Sequence, residues 1–380
     1  MLPSLAADRA LLEDLDGQIS ELKRSIEVLR QQKSAVQQRL GAYKYPVLSL
    51  PNEIISEIFI RFLPAYPECP PSQGPRSPTF LTQICRSWRG IALSTPELWR
   101  ALSLSVGLGQ QLGDLWLDRA GSCPLSLEVD EFHSTNGPEA VAAMLSYLGR
   151  CEYLRLRLYE SQSQLSTIQD AMSDDTMALL RHLDLEFDHD EDLVFHDVPL
   201  LRSVVLDYNA ATHVVLPWTQ LTSVTLREFF YSDCVSMLLK TPNLISFRLD
   251  EFSVDRPPDW DPPDVPLLHL QSLVITSMKS SSVRRSDCLS PFLAPAIRKL
   301  HIPEIMLGLH PIPALTSFVS RSGCQLEHVH VSGNRLASDH SYRTALALSS
   351  LKLLVLSEPC VSSEVEEGEE HSPSDPIHFA

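Results

Sequence analysis

The spacing of apolar and polar residues changes along the 380-residue chain, and each change marks a different kind of structure. Up to residue 40, apolar residues recur every three or four positions, which is typical of a long amphipathic helix. Two shorter stretches, at 50–62 and 84–91, keep the helical spacing over two or three turns. From about Leu102 onward, short runs alternate between aliphatic and polar residues, which predicts β-strands.

The first pattern predicts a coiled-coil helix within residues 1–44. Ile19 and Ile26 lie at heptad a positions between leucines at d, a combination that favours two parallel helices. Lys33 interrupts the seam at an a position, and Gly17 weakens the first half by about 1 kcal/mol relative to alanine. Two arrangements are open: pairing with a second copy, or folding back onto the same chain. The predicted seam consists of Leu12, Leu15, Ile19, Leu22, Ile26, Leu29, Val36 and Leu40.

Two short amphipathic helices are predicted next. Pro51 suits the first turn of a helix, where its missing N–H would have no partner, and Glu53 complements the positive end of the helix dipole. Helices this short are marginal alone, so their apolar faces must be buried against each other or against a partner. The two apolar stripes consist of Ile54, Ile55, Ile58, Phe59 and Phe62, and of Ile84, Trp88 and Ile91.

Residues 45–102 resemble the F-box family from end to end. The chain reads LPNEIISEIF from Leu50, ICRSWRGIA from Ile84 and TPELW from Thr95. Such stripes also occur in the core of an ordinary helical hairpin, but the order of the three segments favours the family. The resemblance implies a helical module that docks on the Skp-family adaptor of a ubiquitin ligase. Its implied adaptor-binding residues are Leu50, Pro51, Ile54, Ile55, Ile58, Phe59, Ile84, Cys85 and Trp88.

Six prolines crowd the segment between the two stripes, which is longer than the family needs. Proline at this density cannot continue a helix and favours extended, solvated chain. We therefore predict an inserted loop over residues 64–79 that leaves the helices intact. If this loop lay across the exposed apolar side chains, it would mask the docking surface.

The longest part of the chain, residues 103–357, repeats the pattern LxxLxL, with other aliphatic residues or Phe allowed. The repeats are about 20 to 29 residues apart, in or near the range of leucine-rich repeats. The alternation predicts a short strand with one face inward, and the leading residue packs beneath the turn that precedes the strand. Eight matches begin at Leu180, Leu201, Leu221, Leu244, Leu270, Ile297, Leu326 and Leu351.

These repeats predict an all-helical N-terminal part followed by an α/β solenoid of leucine-rich-repeat type with a parallel sheet. One such unit cannot bury its apolar face alone, whereas stacked neighbours share a continuous core. The array resembles, more loosely, the degenerate leucine-rich-repeat body of many fungal F-box proteins. An unrelated α/β domain with leucine-rich parallel strands is the alternative. A loop near the middle, a candidate recognition element, contains Pro257, Pro258, Pro262, Pro263 and Pro266.

Composition and charge argue against several classes of function. A formal net charge of −17 argues against a general nucleic-acid binder, which needs a basic surface. No apolar run is long enough to cross a membrane, and the first residues do not form the basic start and apolar core of a signal peptide. Residues 358–380 are an acidic tail for which disorder is expected. The eight cysteines are scattered singly, which predicts reduced thiols in the cytoplasm or nucleus.

The sequence contains none of the motifs GxSxG, GxxxxGK[ST], GxGxxG and HExxH, which mark hydrolases, nucleotide-binding proteins and zinc proteases. The acidic run Asp188–Asp192 lacks the spacing and glycine of a calcium loop. His328 and His330 alternate with valines, which predicts that both lie on one face of a strand. We therefore expect a binding protein that uses no metal, cofactor or catalytic residue.

The F-box resemblance implies the substrate-recognition subunit of an SCF-type ubiquitin ligase. The F-box would bind the Skp-family adaptor, and through it the cullin and RING subunits, while the repeat array would hold a protein target. A second copy of the chain could join through the coiled coil. The alternative is a coiled-coil scaffold that pairs with other proteins outside any ligase. The degenerate repeats leave the identity of the target open.

Overall fold

The computed structural model describes residues 2–42, 46–103, 110–130, 146–158, 168–169, 177–188, 192–250, 263–276, 285–333, 336–346 and 351–357. Helices come first, and a parallel sheet with accompanying helices follows. The chain therefore has a helical N-terminal part and an α/β remainder, as the sequence predicts. The acidic tail and three prolines of the middle loop, Pro257, Pro258 and Pro262, lie outside the described residues.

The described α-helices span Leu2–Ala42 (α1), Asn52–Phe62 (α2), Pro78–Ile84 (α3), Arg86–Leu93 (α4), Gln110–Arg119 (α5), Tyr208–His213 (α6), Tyr231–Leu238 (α7), Pro311–Ser322 (α8) and Asp339–Leu346 (α9). Short 3-10 helices include Pro46–Ser49 before α2 and Pro96–Leu98 after α4. Within the described ranges, no helix has both the length and the apolar character that crossing a bilayer requires.

The second predicted stripe does not lie on one helix, because the chain breaks between α3 and α4 at Cys85. This residue is extended, with φ −156° and ψ 168°, and its Sγ accepts a hydrogen bond from the Trp88 N–H at 3.4 Å. Cys85 therefore caps the start of α4. The prediction that Ile84, Trp88 and Ile91 share one helical face is wrong: Ile84 is exposed, Trp88 half-buried and Ile91 buried.

The described strands span Ala101–Ser103 (β1), Leu125–Asp130 (β2), Cys151–Leu158 (β3), His182–Phe187 (β4), Leu193–Val194 (β5), Ser203–Leu206 (β6), Val214–Val215 (β7), Ser223–Arg227 (β8), Ser246–Asp250 (β9), Val265–Pro266 (β10), Ser272–Ile275 (β11), Phe292–Leu293 (β12), Lys299–Pro303 (β13), His328–Ser332 (β14) and Leu353–Leu356 (β15). Eleven of them form one sheet in the order β1-β2-β3-β4-β6-β8-β9-β11-β13-β14-β15. Strands β5 and β7 form a small parallel pair, and so do β10 and β12. The main sheet is parallel throughout its described ladders, so the predicted parallel sheet is confirmed.

Within the main sheet, the spatial order of the strands is their order in the chain, so each strand lies beside the preceding strand of that sheet. The residue just before a strand accepts hydrogen bonds from two successive N–H groups of the next unit. The carbonyl of Arg202, for example, accepts from Thr222 at 2.9 Å and from Ser223 at 3.0 Å. The same double acceptance recurs at Arg181, Thr222, Ile245, Gln271, Arg298 and Glu327.

The leading residue of the LxxLxL pattern packs in the core, as predicted. Seven of the eight leading residues are fully buried, and Leu351, the eighth, is partly buried. The inward residues of the strands, such as Leu183 and Leu185 of β4, are buried beside them. The buried leading residues are Leu180, Leu201, Leu221, Leu244, Leu270, Ile297 and Leu326.

The junction between the helical part and the sheet is built around Trp99, which is fully buried. Its Nε1–H donates to the Ala92 carbonyl of α4 at 2.8 Å, and its ring meets Trp116 of α5 edge-on at 5.0 Å. The Arg119 guanidinium lies 4.6 Å from the centre of the same ring. One apolar core thus continues from Ile55 of α2 into the sheet.

Helix α1 does not pack on the rest of the described chain. Every predicted seam residue is exposed, with exposed fractions from 43% for Leu15 and Val36 to 69% for Leu40. The arrangement in which this helix folds back onto the chain is therefore not the one found.

A buried carboxylate, Glu304, ties the segment before α9 to the end of β13. It accepts hydrogen bonds from the Tyr342 hydroxyl at 2.8 Å, from the Ala337 N–H at 3.1 Å and from the Leu336 N–H. The Arg285 guanidinium lies 3.3 Å from its Oε2. A carboxylate without water is stable only with such partners, so this network fixes the position of α9.

We expect Glu304→Gln to lower the free energy of unfolding by about 3 kcal/mol, because the amide turns a donor toward N–H groups and removes the negative charge beside Arg285. Denaturant unfolding of the full chain measures this loss. The matched control is Glu57→Gln, which breaks a surface ion pair with Arg61 and should cost less than about 0.5 kcal/mol. Equal losses in the two variants would contradict the role given to the buried network.

Candidate functional site

The predicted stripe of α2 is divided between two faces of the helix. Ile55 and Phe59 are 2% and 1% exposed and lie in the core, where Phe59 meets the half-buried Trp88 ring edge-on at 4.9 Å. Ile54 and Ile58 are 49% and 45% exposed. Ile55 and Phe59 therefore support the helices from within, and the interpretation of the stripe as one broad surface is wrong.

An exposed apolar surface, here named the outer patch, runs over α2 and α3. Ile54, Ile58 and Phe62 follow each other at intervals of four residues on one face of α2, and Phe80 and Ile84 do the same on α3. The Phe62 and Phe80 rings are stacked, with centroids 6.5 Å apart, and join the two rows. The outer patch consists of Leu50, Ile54, Ile58, Phe62, Phe80 and Ile84, all exposed.

Three other residues of the predicted site lie beside this surface or beneath it. Pro51 is exposed and directly precedes α2, and its carbonyl accepts the N–H groups of Ile54 and Ile55 at 3.1 and 3.2 Å. Cys85 and Trp88 are half-buried: Cys85 caps α4, and the Trp88 ring packs α4 against Phe59 of α2. Their positions indicate that they orient the outer patch and contribute less exposed area to it.

The proline-rich segment after α2 lies on the sheet, and the prediction of a solvated loop is wrong for its anchoring residues. The Tyr66 hydroxyl donates to Glu152 at 3.1 Å, and the Arg100 guanidinium lies 3.7 Å from the centre of the Tyr66 ring. Burial first, and then the charge of Glu152, raise the pKa of Tyr66, so its hydroxyl stays a neutral donor. The Ser126 hydroxyl of β2 donates to the Pro67 carbonyl at 2.6 Å.

This anchoring leaves the outer patch uncovered. Pro70, Ser77 and Pro78 are buried, and helix α3 already begins at Pro78, inside the segment for which the sequence predicts a loop until residue 79. Ser77 caps this helix, since its Oγ accepts from the Thr79 N–H at 3.1 Å. A serine followed by proline is a helix-start signal, and it could have identified α3 and its exposed residue Phe80 from the sequence.

A second surface, which is polar, lies on the sheet and carries alternating positive and negative charges. The strand register places Arg155 of β3 between Glu128 and Asp184, at 3.2 and 2.9 Å. Asp184 is only 2% exposed, and it also accepts from Arg227 at 3.2 Å. One row further along the strands, Arg157 is paired with Asp130 at 3.5 Å and with Glu186 at 3.3 Å. Cross-strand pairing therefore holds these guanidinium groups in place.

Three of these side chains, Arg157, Glu186 and Arg227, border a groove of about 780 Å³, here named the charged groove, which is open to solvent. Asp207 lies on its wall and accepts a hydrogen bond from the Ala210 N–H at 2.9 Å, which caps helix α6. Burial is the main cause that raises the pKa of Asp207 to about 6, and the charges of Glu186 and Glu228 add to it. The groove is lined by Arg157, Glu186, Phe187, Asp188, Asp207, Asn209, Arg227, Glu228, Arg248, Asp250 and Thr276.

The histidines of the last strands add no binding centre to these surfaces. His328 and His330 lie on one face of β14, as predicted, between buried valines, and the His330 ring stacks on His301 at 4.0 Å. In the described part of the chain, no group of three or more His, Cys, Asp or Glu side chains could hold a metal ion. Three residues of the acidic run, 189–191, lie outside the described residues.

We expect the stability of the protein to depend on pH through Asp207. Since its folded-state pKa is raised, its stabilising contribution is complete below about pH 4 and is lost as the pH rises through about 6. An asparagine at this position would still cap α6 but cannot ionise. Asp207→Asn should therefore match the parent near pH 4 and be about 2 kcal/mol more stable at pH 7.5.

Urea unfolding across this pH range measures the difference. The exposed Asp197→Asn change is the matched control, and its curve should run parallel to that of the parent. If the difference between Asp207→Asn and the parent stayed constant with pH, Asp207 would not be the titrating group.

The helices and the sheet thus present two candidate surfaces, an apolar one on α2 and α3 and a charged one on the strands. Arginines of the groove form ion pairs with its carboxylates, whereas the outer patch has no contact that covers it within the described residues. No family model matches the chain, and no curated protein matches it either. The function is therefore inferred from the geometry of these two surfaces.

Proposed function

We propose that the chain is the substrate-recognition subunit of an SCF-type ubiquitin ligase and that its outer patch docks on a Skp-family adaptor. One observation carries this proposal: α2 and α3 each keep apolar side chains exposed on one face, joined by the stacked Phe62 and Phe80 rings, while Ile55, Phe59 and Leu81 are buried. A contiguous apolar surface of this kind is typical of a protein–protein interface. The F-box resemblance of residues 45–102 says which partner to expect.

The polar rim of the outer patch also suits an interface. Glu57 and Arg61 form an exposed ion pair at 2.8 Å on α2, next to Ile58 and Phe62. Interfaces commonly combine a central group of apolar residues with such a rim, and a few central residues supply most of the binding energy. Ile54, Ile58 and Ile84 are the residues on which we expect affinity to depend.

The surface is also held in a fixed orientation, which reduces the entropy lost on binding. Trp99 joins α4 to the sheet, and the segment around Tyr66 and Pro67 is bonded to β2 and β3. An adaptor bound at the outer patch would therefore have a defined position relative to the sheet. Defined positions matter in a ligase that acts by proximity, because its receptor raises the effective concentration of target lysines near the charged E2.

We further propose that the α/β part is a leucine-rich-repeat-like solenoid that holds the target. Three features support this: the strands follow one another in chain order, each buried leading residue recurs at a spacing of about 20 to 29 residues, and one carbonyl per unit accepts from the next unit. In such an array the exposed strand face is free for recognition. The charged groove, on that face, is the proposed target site.

We expect Ile54→Asp together with Ile58→Asp to abolish co-purification with a co-expressed Skp-family adaptor. Two carboxylates in the centre of an apolar interface would lose their water without gaining partners, which should weaken binding at least about a hundredfold. Because both side chains are exposed, the fold should survive, and an unchanged circular dichroism spectrum would show this.

The matched control is Leu268→Asp together with Leu309→Asp, which makes the same changes at exposed leucines outside α2 and α3. This variant should bind the adaptor as well as the parent does. Adaptor binding that survives the Ile54 and Ile58 changes would contradict the docking surface. A complex that contains the adaptor but never a cullin would favour the alternative of a scaffold outside any ligase.

A further inference from the structure

Helix α1 presents an apolar seam that nothing in the described part of the chain covers. It is 41 residues long, so at 1.5 Å per residue it extends for about 60 Å. All eight seam residues are exposed along this length. Isolated helices gain most of their stability from packing an apolar face, and a row of exposed leucines and isoleucines this long requires a partner in water.

We infer that the partner is a second copy of the same chain, bound in parallel and in register as a two-stranded coiled coil. The central part of the seam places Ile19 and Ile26 at a positions and Leu15, Leu22 and Leu29 at d. β-Branched residues at a with leucine at d fit the holes of a parallel dimer better than those of trimers or tetramers. An identical helix in register repeats this fit in each of these layers.

The charges that flank the seam are compatible with this pairing. In a parallel dimer a g residue faces the e residue five positions further along the partner helix. Gln18 then faces Lys23, and Ser25 faces Arg30, while the next pair is formed by two glutamines, Gln32 and Gln37. No two like charges meet in these three pairs, so the flanking positions do not oppose association.

Lys33 distinguishes the two possible directions of the partner helix. In register and parallel, both lysines share a single a layer, from which their ammonium groups can reach water. An antiparallel pair in the register that sets Leu12 against Val36 would instead place each Lys33 against Leu15 of the other copy and disrupt two layers. The parallel dimer therefore confines the polar interruption to one place, near the C-terminal end of the seam.

This inference does not rest on the adaptor proposal, and the purified full-length chain tests it without any adaptor. Sedimentation equilibrium at micromolar concentration should give twice the mass of one chain. Leu22→Glu together with Ile26→Glu should give the mass of one chain, because two buried layers would then hold four carboxylates. The matched control, Gln31→Glu with Gln38→Glu, adds the same charges at outward-facing f positions and should remain a dimer.

A parent chain that sediments as a monomer at these concentrations would overturn the inference. So would a dimer that persists in the Leu22→Glu, Ile26→Glu variant, since association would then use another surface. The Ile54→Asp, Ile58→Asp variant tests whether that other surface is the outer patch, because it alters the outer patch and leaves the seam intact. It should remain a dimer whether or not it binds an adaptor.

The direction of the helices has its own test. The Leu22→Cys variant should form a disulfide between two copies under mild oxidation, because equal d positions meet only in a parallel dimer. Mass spectrometry would identify it as a peptide that joins position 22 of one copy to position 22 of the other. Gln31→Cys, at an outward f position, should not form the equivalent link. Absence of the link at position 22 in a chain that sediments as a dimer would overturn the parallel arrangement.

The layer that contains Lys33 can be tested by sedimentation. Lys33→Ile replaces the interruption with the residue type that fills the other a layers, so it should lower the dimer Kd by about tenfold or more. Sedimentation over a range of concentrations measures this change. An unchanged or higher Kd would contradict the placement of Lys33 within the seam.

Discussion

The structure depends on one constraint: no strand of the sheet can bury its leucines without the strands beside it. A unit such as β6, with Val204 and Leu206 inward, is only four residues long and offers one apolar edge. Its burial becomes complete when β4 and β8 supply the flanking walls. The same argument applies to the other strands of the sheet, through which one core runs.

The helical part packs against this core. Trp99 extends the core into α4 and α5, and Ile55 and Phe59 of α2 complete it. The proline-rich segment does not act as a spacer, because Tyr66 and Pro67 bind to side chains of the sheet. The contacts with the core use the inner faces of the short helices. Their outer faces therefore keep apolar side chains that the described chain leaves exposed. The exposed apolar surface is thus a direct consequence of how the helices are anchored.

The sheet and helix α1 differ in how much of their apolar surface is buried. The sheet buries its apolar residues within one chain, and its exposed face carries ion pairs in which acidic side chains such as Asp184 orient arginines. Helix α1 has no neighbour in the described chain and leaves its seam exposed. The protein therefore combines a self-contained sheet with apolar surfaces that partners would cover. This division agrees with a receptor that recognises a target on one surface and assembles through others.

The comparison of sequence and structure separates local from long-range information. The LxxLxL pattern located the strands and their buried leading residues, because a period of two and a leucine three residues earlier are properties of a single unit. The heptads likewise located α1, since a seam is visible within one helix. For the predicted docking site, the sequence identified Ile54, Ile58 and Ile84, which are exposed, together with Ile55 and Phe59, which are buried.

What the sequence could not decide depends on residues that are far apart in the chain. Which half of the α2 stripe faces inward is set by Trp88, and the path of the proline-rich segment is set by Glu152 and Ser126. The charged groove exists only because the register of parallel strands brings Arg157, Glu186 and Arg227 together. The sequence alone thus determined the long helix and the repeated strands of the sheet, because their periodicity is local. The tertiary structure alone decided which side chains meet and which remain exposed, because those choices are made by contacts across the fold.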